Sequence, residues 1–151
     1  MPTHRLPAVI VAALGSLVLA ACASAPILPP TLQVAGLKVG EMGLSGVSLD
    51  VRFRVRNPNQ GRIKIDRFEY ELSVNGQRMG RGFQAQPVEI EPFEEREVVS
   101  RFDLNLLSLP GAVKTVLAEN AVAAHVEGLF YVKGRDPMPF ASDAQVNLNR
   151  R

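Results

Sequence analysis

The stretch VRFRVRNPNQ at residues 51–60 sets the architecture of this chain, because apolar and basic residues alternate along it until an Asn-Pro-Asn tripeptide interrupts them. Strict alternation is typical of a β-strand with one face in a core and the other in water. Val51, Phe53 and Val55 are therefore predicted to be buried. The three arginines between and after them are predicted to lie on the wet face.

Those three arginines, Arg52, Arg54 and Arg56, allow two interpretations. In the first, which we favour, they belong to a solvated strand face whose charge is balanced by Glu69 and Glu71 on the next strand. In the second, they form an anion patch that faces lipid headgroups or a cell-wall polymer.

The tripeptide Asn57, Pro58 and Asn59 is predicted to end the strand and to shape the corner after it. Proline has no backbone N–H and a fixed φ, while asparagine side chains bond neighbouring backbone groups. A structural role is favoured over ligand binding for both asparagines. The dipeptide Asn75-Gly76 further along is a strong signal for a two-residue hairpin turn.

Similar alternation recurs outward from this stretch and predicts a mainly β domain. An apparent change of parity near 66–67 predicts a bulge, since a slip of one residue exchanges the two faces of a strand. The segment SLPGAVKTVLAENA predicts one α-helix near residues 108–120. The sum is an immunoglobulin- or fibronectin-III-like antiparallel β-sandwich of about seven strands with one helix. The strand segments are 31–39, 48–55, 63–74, 77–85, 88–92, 97–106, 124–134 and 138–148.

The front of the chain predicts export. A short head with Arg5 precedes an apolar run over 6–19 and a group of small residues, which is the pattern of a secretory signal peptide. The run is shorter than the roughly 20 apolar residues of a transmembrane helix. Removal of residues 1–21 from the 151-residue chain would leave 130 residues, enough for a single domain.

The tetrapeptide LAAC at 19–22 resembles the lipobox of bacterial lipoproteins, and Cys22 is the one cysteine in the sequence. The resemblance implies a diacylglyceryl group and an N-acyl chain on Cys22, and hence an anchor in a membrane. Residues 22–30 are then a proline-rich tether, and 31–151 the folded domain. Because Ala23 follows the cysteine, the resemblance also implies the outer membrane, on its periplasmic side.

The order of features across residues 31–148 is similar to that of the type 2 late-embryogenesis-abundant family, whose core is the water-stress and hypersensitive-response (WHy) domain. The resemblance rests on the Asn-Pro-Asn corner, the apolar pair Ile63 and Ile65, the segment YELSVNG at 70–76, and the glycines at 80 and 82. It implies a β-sandwich without a catalytic centre and an association with dehydration and other stress. We expect a monomer.

The composition argues against several other functions. With 17 basic and 15 acidic residues, the chain lacks the basic stripe of a nucleic-acid binder. His125 is the single histidine after the signal, so a zinc site with about four ligands is not expected. We predict no catalytic residue, no metal and no cofactor apart from the lipid on Cys22.

These observations lead to a ranked set of functions. The first is a non-enzymatic, membrane-tethered domain for stress protection or envelope maintenance, which contacts membrane or client proteins. The second is a carrier for lipid or another apolar ligand, held between the sandwich layers or under the helix. A third is an accessory lipoprotein of a secretion or transport complex. A hydrolase remains open only if its nucleophile and base meet in space from positions that carry no motif.

Overall fold

A computed structural model of the chain describes residues 26–44, 46–105, 111, 114 and 118–149. This part contains eight β-strands, one for each strand segment expected from the sequence. Their bounds are β1 (Thr31–Met42), β2 (Gly46–Arg56), β3 (Ile63–Val74), β4 (Gln77–Gln84), β5 (Val88–Ile90), β6 (Glu95–Asn105), β7 (Ala121–Val132) and β8 (Met138–Asn149).

The strands form two antiparallel groups, which confirms the mainly β sandwich. Along the sheet the order is β4-β3-β7-β8-β1-β2-β6, with β5 paired to β3. The two groups meet where β1 and β8 pair in parallel, with Leu37 opposite Leu148. At the other side β4 and β6 approach each other, and the Ser100 hydroxyl donates to the Phe83 carbonyl over 3.3 Å. The sheet is thus nearly closed on itself.

The alternating residues of β2 point as the sequence predicts. Val51, Phe53 and Val55 are fully buried. Phe53 contacts Tyr70 edge to face, with ring centroids 4.9 Å apart, and so joins the two layers. Such aromatic pairs add to the stability that apolar burial provides. Further rings fill the core nearby, including Phe68, which lies 5.4 Å from Phe53.

Irregularities in the strands fall where the parity of the sequence changes. The pairing of β3 with β7 shifts between Ile65 and Arg67, which confirms the predicted bulge. The hairpin between β3 and β4 turns at Asn75 and Gly76, whose φ angles are 48° and 77°. Positive φ at both central residues is what a type I′ hairpin turn requires.

Several predictions fall on residues outside the described ranges. Most of the helix expected near 108–120 lies there, as do the signal peptide at 1–21 and Cys22. They stay predictions. Within the described ranges, no helix is both long enough and apolar enough to cross a membrane.

Candidate functional site

Asn57 is fully buried, and its side chain connects its own loop with the segment around Ile90 and Glu91. Its Nδ2 donates to the carbonyl oxygens of Gly61 at 2.8 Å, Ile90 at 3.1 Å and Glu91 at 3.1 Å. Its backbone N–H donates to the carbonyl of Glu94 at 2.9 Å. The amide and its acceptors are therefore hydrogen-bonded to each other. These bonds offset the free-energy cost of burying polar groups.

Asn59 extends this network to the start of the domain. The Oδ1 of Asn57 accepts from both the backbone N–H and the Nδ2 of Asn59, at 2.9 and 3.0 Å. The side chain of Asn59 in turn pairs with the backbone of Leu28: its Oδ1 accepts the Leu28 N–H at 2.7 Å, and its Nδ2 donates to the Leu28 carbonyl at 2.9 Å. The partly exposed Pro58 lies between the two asparagines. The sequence predicted a local corner, but it carried no sign of these distant partners.

The arginines of β2 form ion pairs with the neighbouring strand β6. Arg52 lies 3.8 Å from Glu97, and Arg54 lies 3.9 Å from Glu95. About half of each side chain is exposed, so each pair contributes roughly 0 to 1 kcal/mol. Arg56, at the end of the strand, is exposed as well.

The prediction that Glu69 and Glu71 balance the charge of the β2 arginines was wrong. Those carboxylates lie on β3, in the other layer, where they pair with Arg67 at 3.4 Å and Arg78 at 2.6 Å. The reason is topological, because the neighbours of β2 are β1 and β6 and not the strand that follows it in sequence. The outer faces of β2 and β6 together nevertheless carry charges of both signs.

A depression of about 820 Å³, which we call the outer trough, lies on the outer face of β4, β3, β7 and β8. One cross-strand row along it contains Phe83, Glu69, Leu129 and Pro139 in direct register. Phe83 is 65% exposed and Leu129 is 37% exposed. Exposed apolar side chains that gather in a concavity mark a candidate binding surface.

Charged groups lie beside the apolar side chains of the outer trough. The guanidinium of Arg67 lies 3.8 Å from the centre of the Tyr131 ring and also pairs with Glu69. Arg81 lies 3.6 Å from Glu71. Sequence reasoning missed this surface because its members come from four strands, and each looks like an ordinary outward residue in its own strand.

Tyr70 and Ser100 form a buried polar contact where β3 meets β6. The Tyr70 hydroxyl donates to Ser100 Oγ over 2.9 Å. Burial raises the pKa of Tyr70 to about 12, an effect that the hydrogen bond to Ser100 partly offsets. A phenol that stays neutral and bonded at ordinary pH is suited to holding the two layers together.

A serine, a histidine and an aspartate do meet in space from positions without a motif. Ser73, His125 and Asp143 lie side by side across β3, β7 and β8, and His125 Nδ1 is 2.7 Å from Asp143 Oδ1. A working triad also needs a serine bonded to the histidine, a sheltered aspartate and oxyanion donors. Here no hydrogen bond joins Ser73 to His125 in the described part of the chain, and the Asp143 side chain is 85% exposed. The row does not form a hydrolase site.

Metal ligands are not grouped in the part of the chain that the structure describes, which contains no cluster of three or more His, Cys, Asp or Glu side chains suited to a metal ion. The features that remain are a buried asparagine corner, a charge-balanced face and an apolar outer trough. All three belong to a single mainly β sandwich domain.

Residues 52–148 match the LEA_2 family, described as late embryogenesis abundant protein, so the chain belongs to that family. Membership supports a stress-related, LEA-type domain, and the family is generally non-enzymatic. No curated protein matches the chain at a significant level.

The chain is similar to several solved structures. A protein of Arabidopsis thaliana with a solution structure is 14% identical, with a TM-score of 0.63, and the match covers 83% of this chain and 86% of that one. A crystal structure of a protein from Archaeoglobus fulgidus is 18% identical, with a TM-score of 0.48, over 81% of this chain and 97% of that one. At such identities, the likeness to the Arabidopsis protein shows the fold alone.

Proposed function

We propose that the protein is a non-enzymatic lipoprotein of the bacterial cell envelope, whose LEA-type domain protects the membrane or client proteins under stress. One observation carries this proposal. The sequence LAAC at 19–22 contains the one cysteine of the chain, and the β-sandwich that matches the LEA_2 family over residues 52–148 begins soon after it, at Thr31. Two observations on the described residues are consistent with the proposal: they contain no cluster suited to a metal ion, and Ser73, His125 and Asp143 are not arranged as a working triad.

The anchor would determine where the domain works. Acyl chains contribute about 0.8 kcal/mol for each buried CH₂, so three of them on Cys22 would hold the protein on a membrane essentially without release. Ala23 favours the outer membrane, facing the periplasm, since an aspartate there would favour retention at the inner membrane. The protective surface would then be available beside the bilayer at all times.

The surface of the domain supports binding rather than catalysis. The outer trough offers exposed Phe83 and Leu129 beside ion-paired side chains, a combination suited to weak contact with exposed apolar segments of other proteins. Charge of both signs on the face of β2 keeps that side soluble. A domain of this kind can hold a damaged client without chemical change.

Metabolic labelling and a survival assay test the proposal together. The full chain is expressed in its own bacterium with a tagged palmitate, beside Cys22→Ala, and the membrane fractions are analysed. We expect label on the parent protein in the outer membrane and none on the variant. A deletion strain should survive drying, freezing and envelope stress less well than the parent strain, and only the unmodified gene should restore survival. Equal survival in all strains would argue against the stress role, and an unlabelled parent against the anchor.

A second function, binding of an apolar ligand, is favoured at the outer trough rather than between the layers. The interlayer space is occupied by aromatic side chains such as Phe68 and Phe130, whose ring centroids are 5.7 Å apart. Native mass spectrometry of residues 23–151 with added phospholipid tests this idea. Phe83→Ser should reduce a bound lipid mass, and Val99→Ser, an exposed position on β6, is the control. Equal uptake by both variants would exclude the trough.

A further inference from the structure

One end of the sandwich, which we call the Asn57 end, is where the start of the described chain joins the domain. It comprises the loops 57–62, 85–94 and 133–137 together with residues 26–30. The third of these loops is bonded to β3, because the Lys133 backbone N–H donates to the Lys64 carbonyl oxygen at 3.0 Å. The opposite end contains the β1–β2 turn, where Leu44 is fully exposed.

The side chain of Asn59 holds the chain at Leu28 through two hydrogen bonds to its backbone. Pro30, just beyond, is buried against the domain. Five residues, 23–27, separate Leu28 from Cys22, and the six residue steps between the two reach about 21 Å when fully extended. By contrast, β2 alone keeps the two ends of the sandwich on the order of 35 Å apart. An anchor at Cys22 would therefore keep the Asn57 end close to the bilayer.

Phe93 is an unusual residue at this end. It occupies the third position of a turn in which the Glu94 N–H donates to the Glu91 carbonyl at 3.1 Å, and its φ is 60°. With Pro92 at the second position this is the pattern of a type II turn, where glycine is preferred because it adopts positive φ without strain. Phe93 is also 56% exposed, so its ring brings little burial to compensate the strain. Folding does not account for an aromatic ring here.

We propose that the Asn57 end contacts the lipid bilayer, with Phe93 and Leu28 entering its interface. Both side chains are more than half exposed, and both belong to segments that the adjacent asparagines hold in place. Aromatic and aliphatic side chains at the headgroup level are the usual contacts of a peripheral protein. The inference rests on the proposed anchor for its orientation and adds the surface that faces the lipid.

The charges at the Asn57 end indicate which lipid chemistry matters. Arg62 pairs with Glu91 at 2.6 Å, and Lys64 lies 4.0 Å from Glu89. Lys133 and Arg135, in the loop 133–137, are exposed and form no salt bridge among the described residues, but Asp136 lies between them and the loop 85–94 adds further carboxylates. We therefore expect the contact to depend more on apolar insertion than on anionic headgroups. Binding by free basic residues would instead strengthen as the anionic lipid content rises.

The test uses single tryptophans, since the chain has none of its own. The full chain is purified from bacterial membranes as Phe93→Trp and, for comparison, as Leu44→Trp at the opposite end. Each is reconstituted into phosphatidylcholine vesicles with or without bromine on the acyl chains. We expect several-fold stronger quenching for Phe93→Trp than for Leu44→Trp, and little change when phosphatidylglycerol is added. Equal quenching at both positions, or stronger quenching at Leu44→Trp, would overturn the proposal.

A mass measurement separates this inference from the proposed function. If the purified chain carries no lipid on Cys22, the anchor fails, but the orientation can still be measured. The same variants are then coupled through the single thiol to a maleimide lipid, which holds them at the same residue. The outcomes for Phe93→Trp and Leu44→Trp have the same meaning as before.

The contribution of Asn59 is measured in the Phe93→Trp background. Asn59→Ala removes both bonds to Leu28 and should reduce quenching, because the domain can then rotate about its tether. Gln60→Ala, at the next and exposed position, is the matched control. Unchanged quenching in Asn59→Ala would show that the bonds from Asn59 to Leu28 do not orient the domain. Circular dichroism confirms that both variants are folded.

Discussion

Asn57 and Asn75 each follow directly after the last residue of a strand, but their surroundings are opposite. Asn57 is fully buried, and its side chain bonds the backbone of loops more than thirty residues away. Asn75 is exposed and lies in a tight hairpin, where its side chain bonds Ala123 on the adjacent strand and the Glu119 carboxylate. Both side chains thus bond residues that are distant in the sequence, but the contacts of Asn57 are largely buried and those of Asn75 are exposed to water.

The difference shows how burial determines the value of a polar contact. At the Asn57 corner, water cannot replace a lost hydrogen bond, so each partner would be left unsatisfied. At the Asn75 turn, water can reach the same groups. The stability of the domain should therefore respond unequally to the loss of the two side chains.

The largest effect is expected for Asn57→Ala. It removes the donor to Gly61, Ile90 and Glu91, and it should lower the free energy of unfolding by about 3 kcal/mol. Urea unfolding followed by circular dichroism measures this. Asn59→Ala, whose bonds are more exposed, is the control and should lose less than half as much. Equal losses would remove the distinction between buried and exposed asparagines.

Tyr70 is a second buried polar side chain, and it should make the stability of the domain depend on pH. Its pKa is raised from 10.0 to about 12, so the folded state favours the neutral phenol. The resulting stability is fully present below pH 10 and is lost as the pH rises toward 12, up to about 2 to 3 kcal/mol. Tyr70→Phe should lack this part of the alkaline loss, measured as the difference between two urea series across pH 9 to about 12. Parallel curves for parent and variant would contradict it.

The exposed turn should tolerate change better. Asn75→Ala loses bonds to Ala123 and Glu119 and places alanine at a φ of 48°, which should cost about 1 to 2 kcal/mol. Gly76→Ala meets no atoms within 4 Å, so its cost of about 1 kcal/mol would come from the backbone alone. Thermal unfolding of both variants measures these values. A loss in Asn75→Ala as large as that in Asn57→Ala would overturn the comparison.

The smallest effect is expected on the face of β2. Arg52→Ala breaks an exposed pair with Glu97 and should change the free energy of unfolding by less than about 1 kcal/mol. A double-mutant cycle with Glu97→Ala, at low and high salt, isolates the pair. A coupling energy well above that value would mean that the arginine face contributes to the fold. A loss of vesicle binding without a change in stability would instead support the anion patch.

The sequence by itself determined the features that depend only on residues close together along the chain. Alternation assigned Val51, Phe53 and Val55 to the core, because side chains on a strand point to opposite faces in turn. The dipeptide Asn75-Gly76 identified its hairpin, since few other residues adopt positive φ at low cost. A change of parity located the bulge in β3. These signals hold wherever the strand is placed in the fold.

Only the tertiary structure decided which strands are neighbours, and the pairing of surface groups follows from that choice. Arg52 forms an ion pair with Glu97 rather than with Glu69, because β6, which is distant in the sequence, lies beside β2. The outer trough and the bonds from Asn57 and Asn59 to distant loops arise in the same way. Strand order is fixed by burying all the apolar faces together, a global requirement that no short pattern of residues contains.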